Sequence, residues 1–182
     1  MFKGWLKTVD SPEEVFAKYL STRNNKYLEQ IVSQFNEPLY HYLLSQSDVH
    51  LAKDVLQTCW LKILKCDKAK FEHTSVRNWL FTIARNTLID ELRRLNRWKL
   101  TELDSQYILV TESENDSSML EKFNQTLEKL PFYQKEAFIL QQEGFSLIEI
   151  AMITNEPQET IKSRIRYARN TLKANLERLN EQ

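Results

Sequence analysis

At 182 residues the chain is long enough for one domain or two small ones, and its 42% hydrophobic and 27% charged side chains exclude an intrinsically disordered protein. The formal net charge is zero, so there is no bulk attraction to nucleic acid, and any nucleic-acid surface must come from local segregation of charge. Only two glycines (Gly4 and Gly144) and four prolines occur, which leaves no glycine-rich phosphate loop and points to an all-α chain of helices joined by short turns.

The opening "MFKGWLKTVD" is too short and too polar for a signal peptide or a membrane span, which gives the expectation of a cytoplasmic protein without direct membrane insertion. A first helix is predicted at "DSPEEVFAKYL", where Ser11 caps, Pro12 suits the first helical position and Glu14 completes a capping box. A second runs from about Lys26, with Pro38 marking a break or kink before "LYHYLLSQ". A third begins near Asp48 and carries Leu51, Val55, Trp60 and Leu64 as an apolar stripe. Cys59 and Cys66 lie on roughly one face of it, too far apart along the axis for a disulfide, and read as buried free thiols of a reducing compartment.

After the polar loop "KCDKAKFEHTS", a fourth helix is predicted over "VRNWLFTIARNTLIDELRRLNRWKL", with Trp79, Leu80, Ile83, Leu88 and Leu92 inward and Arg85, Asn86, Arg93, Arg94 and Arg97 on the far side. Between Arg85 and Lys99 five basic residues face two acidic ones, a local excess of positive charge whose bland reading is a solvated face. Residues 101–118, "TELDSQYILVTESENDSS", hold five acids and no Lys or Arg, and this shift in composition marks a flexible acidic linker in which "YILV" could dock locally. The predicted organisation is therefore a helical extension over 1–24, a helical domain over 25–100, the linker over 101–118 and a second small helical domain over 119–182.

In that second domain "SLIEIAMITNEPQETIKSRIR" breaks one amphipathic pattern and starts another. Ser146 and Glu149 form a capping box, Asn155 tolerates the left-handed conformation of a helix end, and Pro157 can open the next helix. On that last helix Ile161, Ile165, Ala168 and Leu172 make the buried stripe, leaving Glu159, Thr160, Lys162, Ser163, Arg166 and Arg169 outside. From Pro157 to Gln182 six basic residues face three acidic ones. A short supporting helix, a tight turn and a polar, cationic second helix are what a helix-turn-helix needs to enter a DNA major groove, although an αα-hairpin packed on another element shows a similar pattern.

Two separated blocks together resemble the extracytoplasmic-function (ECF) sigma factors, in the sigma-70 family of bacterial RNA polymerase. "RNWLFTIARNTLIDELRR", Arg77 to Arg94, is similar to the family's region-two helix, R-x-W-L-x-x-I-A-R-N-x-x-I-D-x-x-R-R. "LPFYQKEAFILQQEGFSLIEIAMITNEPQETIKSRIRYARNTLK", Leu130 to Lys173, is similar to the region-four domain, with its L-P-x-x-Q-[RK]-E opening and its T-[VI]-K-S-R recognition-helix signature. The resemblance covers about residues 25–178 and implies an alternative sigma factor without catalysis of its own. Its first domain would engage core polymerase and the −10 promoter element, and its second the −35 element and the polymerase flap.

Residue by residue, the resemblance places Arg85, Asn86, Asp90, Arg93 and Arg94 on the −10 surface and Glu159, Thr160, Lys162, Ser163, Arg166 and Arg169 on the −35 surface. The loop before the fourth helix would cradle one unstacked base. In "AKDVLQTCW", Asp54 and Gln57 match the clamp-binding helix A-E-D-L-V-Q-E-T-F, while Thr58 stands where Glu is usual. An anti-sigma factor is a further implied partner. Residues 1–24 lie outside the match, and "VFAKYL" reads as a core extension in preference to an added docking helix.

His41, His50 and His73 have no ligand-like spacing with either cysteine, so no metal and no cofactor is expected. No nucleophile and base stand in a recognisable arrangement, which argues against an enzyme. The rivals to the sigma-factor reading are a stand-alone helix-turn-helix regulator that binds duplex DNA as a dimer, and an interaction module that occupies polymerase without reading DNA.

Overall fold

The computed structural model describes residues 10–66, 75–95 and 119–180. Among them the chain forms eight helices and no strand. The acidic stretch 101–118 and most of the loop before the fourth helix lie outside the described residues.

Helix α1 (Pro12–Thr22) starts on the expected capping box: the Glu14 amide donates to Ser11 Oγ at 3.2 Å and the Ser11 amide to the Glu14 carboxylate at 2.9 Å. Helix α2 (Asn25–Gln46) is capped by Asn24 and runs unbroken through Pro38, where a break or kink was predicted. A proline inside a helix costs about 3 kcal/mol. Here Phe35, Leu39, Tyr42 and Leu43 flank it and are buried, and their burial offsets that cost.

Helix α3 (Val49–Leu64) begins where the Asp48 carboxylate accepts from the His50 and Leu51 amides. Its buried stripe runs through Leu51, Val55, Cys59 and Ile63, so the predicted stripe drifts off the core at its far end: Trp60 is half-buried and Leu64 is 45% exposed. Both cysteines are buried, and burial pushes the Cys59 thiol up to about 11, which keeps it protonated and unreactive at neutral pH.

Helix α4 (Val76–Arg94) is central, touching α1, α2, α3 and α7. Its own cap residue Ser75 makes no side-chain capping bond. Glu13 of α1 instead accepts from the Val76 amide at 3.2 Å. From the same helix α1, Tyr19 donates to the Leu64 carbonyl at 3.3 Å, and Arg23, just beyond its end, donates to the Cys66 carbonyl at 2.8 Å. The N-terminal segment thus ties down the end of α3 and the start of α4, and its Phe16 ring packs 5.2 Å from that of Trp79.

The second half comprises α5 (Met119–Glu128), α6 (Phe132–Gln142), α7 (Leu147–Thr154) and α8 (Gln158–Asn180). Just beyond the end of α6 stands Gly144, whose φ of 86° a side chain would strain, and the Phe145 amide then donates back to the Leu140 carbonyl at 3.2 Å. That closure turns Phe145 into the core, 3% exposed. The two halves do not stand apart: one buried cluster continues from Phe16 and Leu39 through Leu80 and Phe81 to Leu140, Phe145, Ile150 and Ile165, with α2 and α4 packed against α6 and α7. A smaller cluster of Leu130, Ala168 and Leu172 joins α5 to α8.

Candidate nucleic-acid interface

The turn between α7 and α8 is built as its residues dictate. The Ser146 amide donates to the Glu149 carboxylate at 2.8 Å and the Glu149 amide returns a bond to Ser146 Oγ at 3.3 Å. The Ser146 amide and then its hydroxyl, both donating to the Glu149 carboxylate, hold that carboxyl below its ordinary value, with help from Asn78 of α4. At the other end Asn155 takes the left-handed conformation, φ 54° and ψ 46°, and the Glu156 amide donates to the Ala151 carbonyl at 3.1 Å. The Pro157 carbonyl accepts the first bond of α8 from Ile161.

Arg164 pins the turn from below: it pairs with Glu156 at 3.0 Å and lies 4.6 Å over the Tyr133 ring. Ile161, Ile165, Ala168 and Leu172 are buried as predicted. On the outer side Glu159, Lys162, Arg166 and Arg169 are exposed, and Thr160 and Ser163 are half-buried. Arg169 is held by a 2.8 Å bond to Gln141 of α6, and with Lys162, Ile165, Arg166 and Leu147 it lines a shallow cavity of about 270 Å³. A helix supported on one side and presenting cations and short polar groups on the other can meet phosphates and base edges together.

On α4, Asn86, Asp90, Arg93 and Arg94 are exposed on one side. Arg93 stands 3.9 Å from Asp90 and Arg94 2.7 Å from Glu91, so both cations carry an acidic neighbour on their own helix. Arg85 departs from the predicted far side. It is buried, and its guanidinium meets the Glu136 carboxylate of α6 at 2.9 and 3.4 Å. Tyr42 of α2 donates to the same carboxylate at 3.1 Å. Burial raises the Glu136 carboxyl above its ordinary value, against the opposing pull of Arg85 and Tyr42. The cause of the discrepancy is long-range, because the anion that draws Arg85 inward lies 51 residues downstream.

Asp54 and Gln57 are exposed on α3, opposite its buried stripe, and Lys62 nearby donates to Thr87 of α4 at 2.8 Å. Among the described residues no group of three or more His, Cys, Asp or Glu could hold a metal ion, and no helix is long and apolar enough to cross a membrane. Sequence reasoning missed Arg77, whose guanidinium donates to the Glu143 carbonyl and lies 3.9 Å over the Phe145 ring. It also missed Tyr42 and Glu136, and only the placing of a charged Glu in an otherwise apolar helix face of "QKEAFIL" could have pointed to the latter.

A braced helix-turn-helix with a cationic outer helix, preceded by a second helix with an exposed stripe of Asn, Asp and Arg, is the architecture of a DNA-binding transcription protein. Comparison with known proteins sharpens that class. The family pattern described as Sigma-70 region 2 matches residues 31–98, and that described as Sigma-70, region 4 matches residues 120–172. The ECF sigma factor EcfG of Rhodopseudomonas palustris (strain TIE-1) is 33% identical over 127 residues, 68% of this chain and 70% of that protein. The sigma factor YlaC of Bacillus subtilis (strain 168) is 27% identical over 164 residues, 85% of this chain and 95% of that one. The sigma factor RpoE in its complex with the anti-sigma factor NepR, from Bartonella quintana, superposes with a TM-score of 0.67 at 29% identity, covering 84% of this chain and 98% of that one. The chain belongs to the ECF sigma factors of the sigma-70 family, and is an alternative sigma factor acting in transcription initiation.

Proposed function

We propose that α8 reads the −35 element through Glu159, Thr160, Lys162, Ser163, Arg166 and Arg169, and that α4 reads the −10 element through Asn86, Asp90, Arg93 and Arg94, joined by Arg85 when Glu136 releases it. Asp54 and Gln57 engage core polymerase. The observation that carries this reading is the exposed face of α8, where Lys162, Arg166 and Arg169 outnumber Glu159 on a chain with no net charge, beside the polar stripe of Asn86, Asp90, Arg93 and Arg94 on α4. The domains divide at 25–100 and 119–182, with 1–24 as an extension, whose helix α1 braces the first, and 101–118 as the linker. The chain works in the cytoplasm, is not an enzyme, and takes an anti-sigma factor as a further partner, in keeping with its likeness to the Bartonella RpoE found bound to NepR.

Asn86 offers both a donor and an acceptor to a base edge. Asn86→Ala is expected to lower run-off transcription with core polymerase roughly tenfold on closed duplex, a loss inside the ~1–3 kcal/mol of one base contact. It should recover much of that on a template pre-melted at −10, where the unpairing cost is already met. Full activity on closed duplex, or binding of DNA by the free protein that ignores this residue, would sink the assignment.

Arg166→Ala or Arg169→Ala should weaken transcription from −35-dependent promoters. A lost phosphate contact weakens all sequences and flattens the salt dependence by about one unit of slope, whereas a lost base contact relaxes choice at one position. Unchanged promoter output from both variants removes α8 from the reading role.

A further inference from the structure

The polar groups of the region-two helix converge on region four. Arg85 reaches Glu136, Arg77 lies over Phe145 and donates to the Glu143 carbonyl, and Asn78 helps hold Glu149 at the start of α7. Between them Phe81 meets Phe145 edge-on at 4.7 Å and Tyr42 at 5.5 Å. This contact is built around a buried ion pair, and it leaves the buried Asn78 Oδ1 without a hydrogen-bond partner among the described residues. Contacts of that mixed character are the ones that open, because a buried pair has lost its hydration and breaks even only while its geometry holds.

Two DNA-reading helices fixed in this way cannot do their work together. The centres of the −10 and −35 elements are separated by about 25 base pairs, or ~85 Å of B-form duplex at 3.4 Å per pair. Here α4 packs directly on α7, the supporting helix of the reader, and packed helices lie ~8–10 Å apart. Residues 96–118 can extend over at most ~80 Å, and the ~10 Å breadth of a helix at either end makes up the remainder, so chain length allows the separation that this arrangement forbids.

We propose that the Arg85, Glu136 and Tyr42 cluster, with Arg77 on Phe145, is an intramolecular latch that holds the free sigma factor closed, and that it must release before both promoter elements are engaged. The latch leaves Asp54 and Gln57 exposed on α3, so a first contact with polymerase can form on the closed chain. It occupies Arg85, so a −10 contact by that side chain and the closed form exclude each other. The inference rests on the assignment of α4 and α8 to the two elements, but the closed state itself can be measured without DNA.

The test uses the full chain with Glu136→Gln, which keeps the shape and removes the charge, and Arg77→Ala, which leaves that pair intact. Small-angle scattering of the free wild type should give a radius of gyration near the ~16 Å of a compact chain of this length. Both variants should rise above about 20 Å with unchanged helix content by circular dichroism. If nine or more wild-type molecules in ten are closed, opening should tighten the apparent affinity for core polymerase at least about tenfold, since that tax is lifted. A wild type already above about 20 Å, or two variants as compact as the wild type, overturns the latch. Opening without tighter polymerase binding overturns its inhibitory role, and neither result touches the Asn86 test of promoter reading.

Discussion

Phe81→Ala is expected to remove about 3–5 kcal/mol of unfolding free energy and to split one thermal transition into two. Phe81 is fully buried, and its ring is shared between halves: Tyr42 of α2 lies on one side and Phe145, beyond α6, on the other. Arg77 adds a cation 5.9 Å from the ring. Truncation leaves a cavity at the junction rather than inside either half, so the collapse that could refill it would have to move one half against the other. Calorimetry of the free protein checks both parts. Leu172→Ala, in the small cluster that joins α8 to α5, serves as the contrast, since it should weaken region four without changing how the halves are coupled. A single transition in Phe81→Ala, lowered by less than about 1 kcal/mol, means that the halves are not joined through this ring in solution.

The local devices of this fold were legible because each depends on residues a few positions apart. Both capping boxes, at Ser11 with Glu14 and at Ser146 with Glu149, stand where the sequence placed them, as do the left-handed Asn155 and the buried stripe of α8. No break falls at Pro38, because helix propensity is a weak prior: four buried neighbours on α2 outweigh one missing hydrogen bond. The inward end of α3 drifted because a stripe extrapolated over four turns accumulates angular error, which carried Leu64 to solvent and Ile63 into the core.

Arg85 is the informative miss. It precedes Asn86 by one position, about 100° around the helix, and a cation beside a polar stripe reads as part of it. What turns it inward is a carboxylate on another helix, with a tyrosine hydroxyl to share it, and one sequence holds no record of that pairing. The same blindness hid Arg77 and the continuity of the core across the two halves.

Arg85→Ala should therefore cost more than an exposed DNA-contacting arginine can. In the closed chain it strands Glu136, whose side chain is 1% exposed, beside a single tyrosine donor, and breaking a buried pair from one side costs about 3–5 kcal/mol. The deficit has a pH signature. Glu136 already has its carboxyl raised above 4.5 by burial, and losing the guanidinium raises it further. A carboxyl whose folded-state value is raised binds a proton more readily when closed, so the closed form of Arg85→Ala gains on the open form as pH falls and loses as pH rises through that value. Measured against wild type, the stability loss should be largest above that raised value and shrink on acidification toward the ordinary carboxylate range. Replacing both partners, Arg85→Met with Glu136→Leu, removes both charges and should restore most of the stability, short of the ~1–3 kcal/mol for the Tyr42 hydroxyl left without its acceptor. Transcription should not follow that recovery: the double variant has no guanidinium to offer the −10 element, and its output should stay as low as that of Arg85→Ala. Equal stability of Arg85→Ala and wild type at all pH values would place the guanidinium in solvent and undo the buried pair. Full transcription by the double variant would instead keep the pair and take Arg85 out of promoter reading.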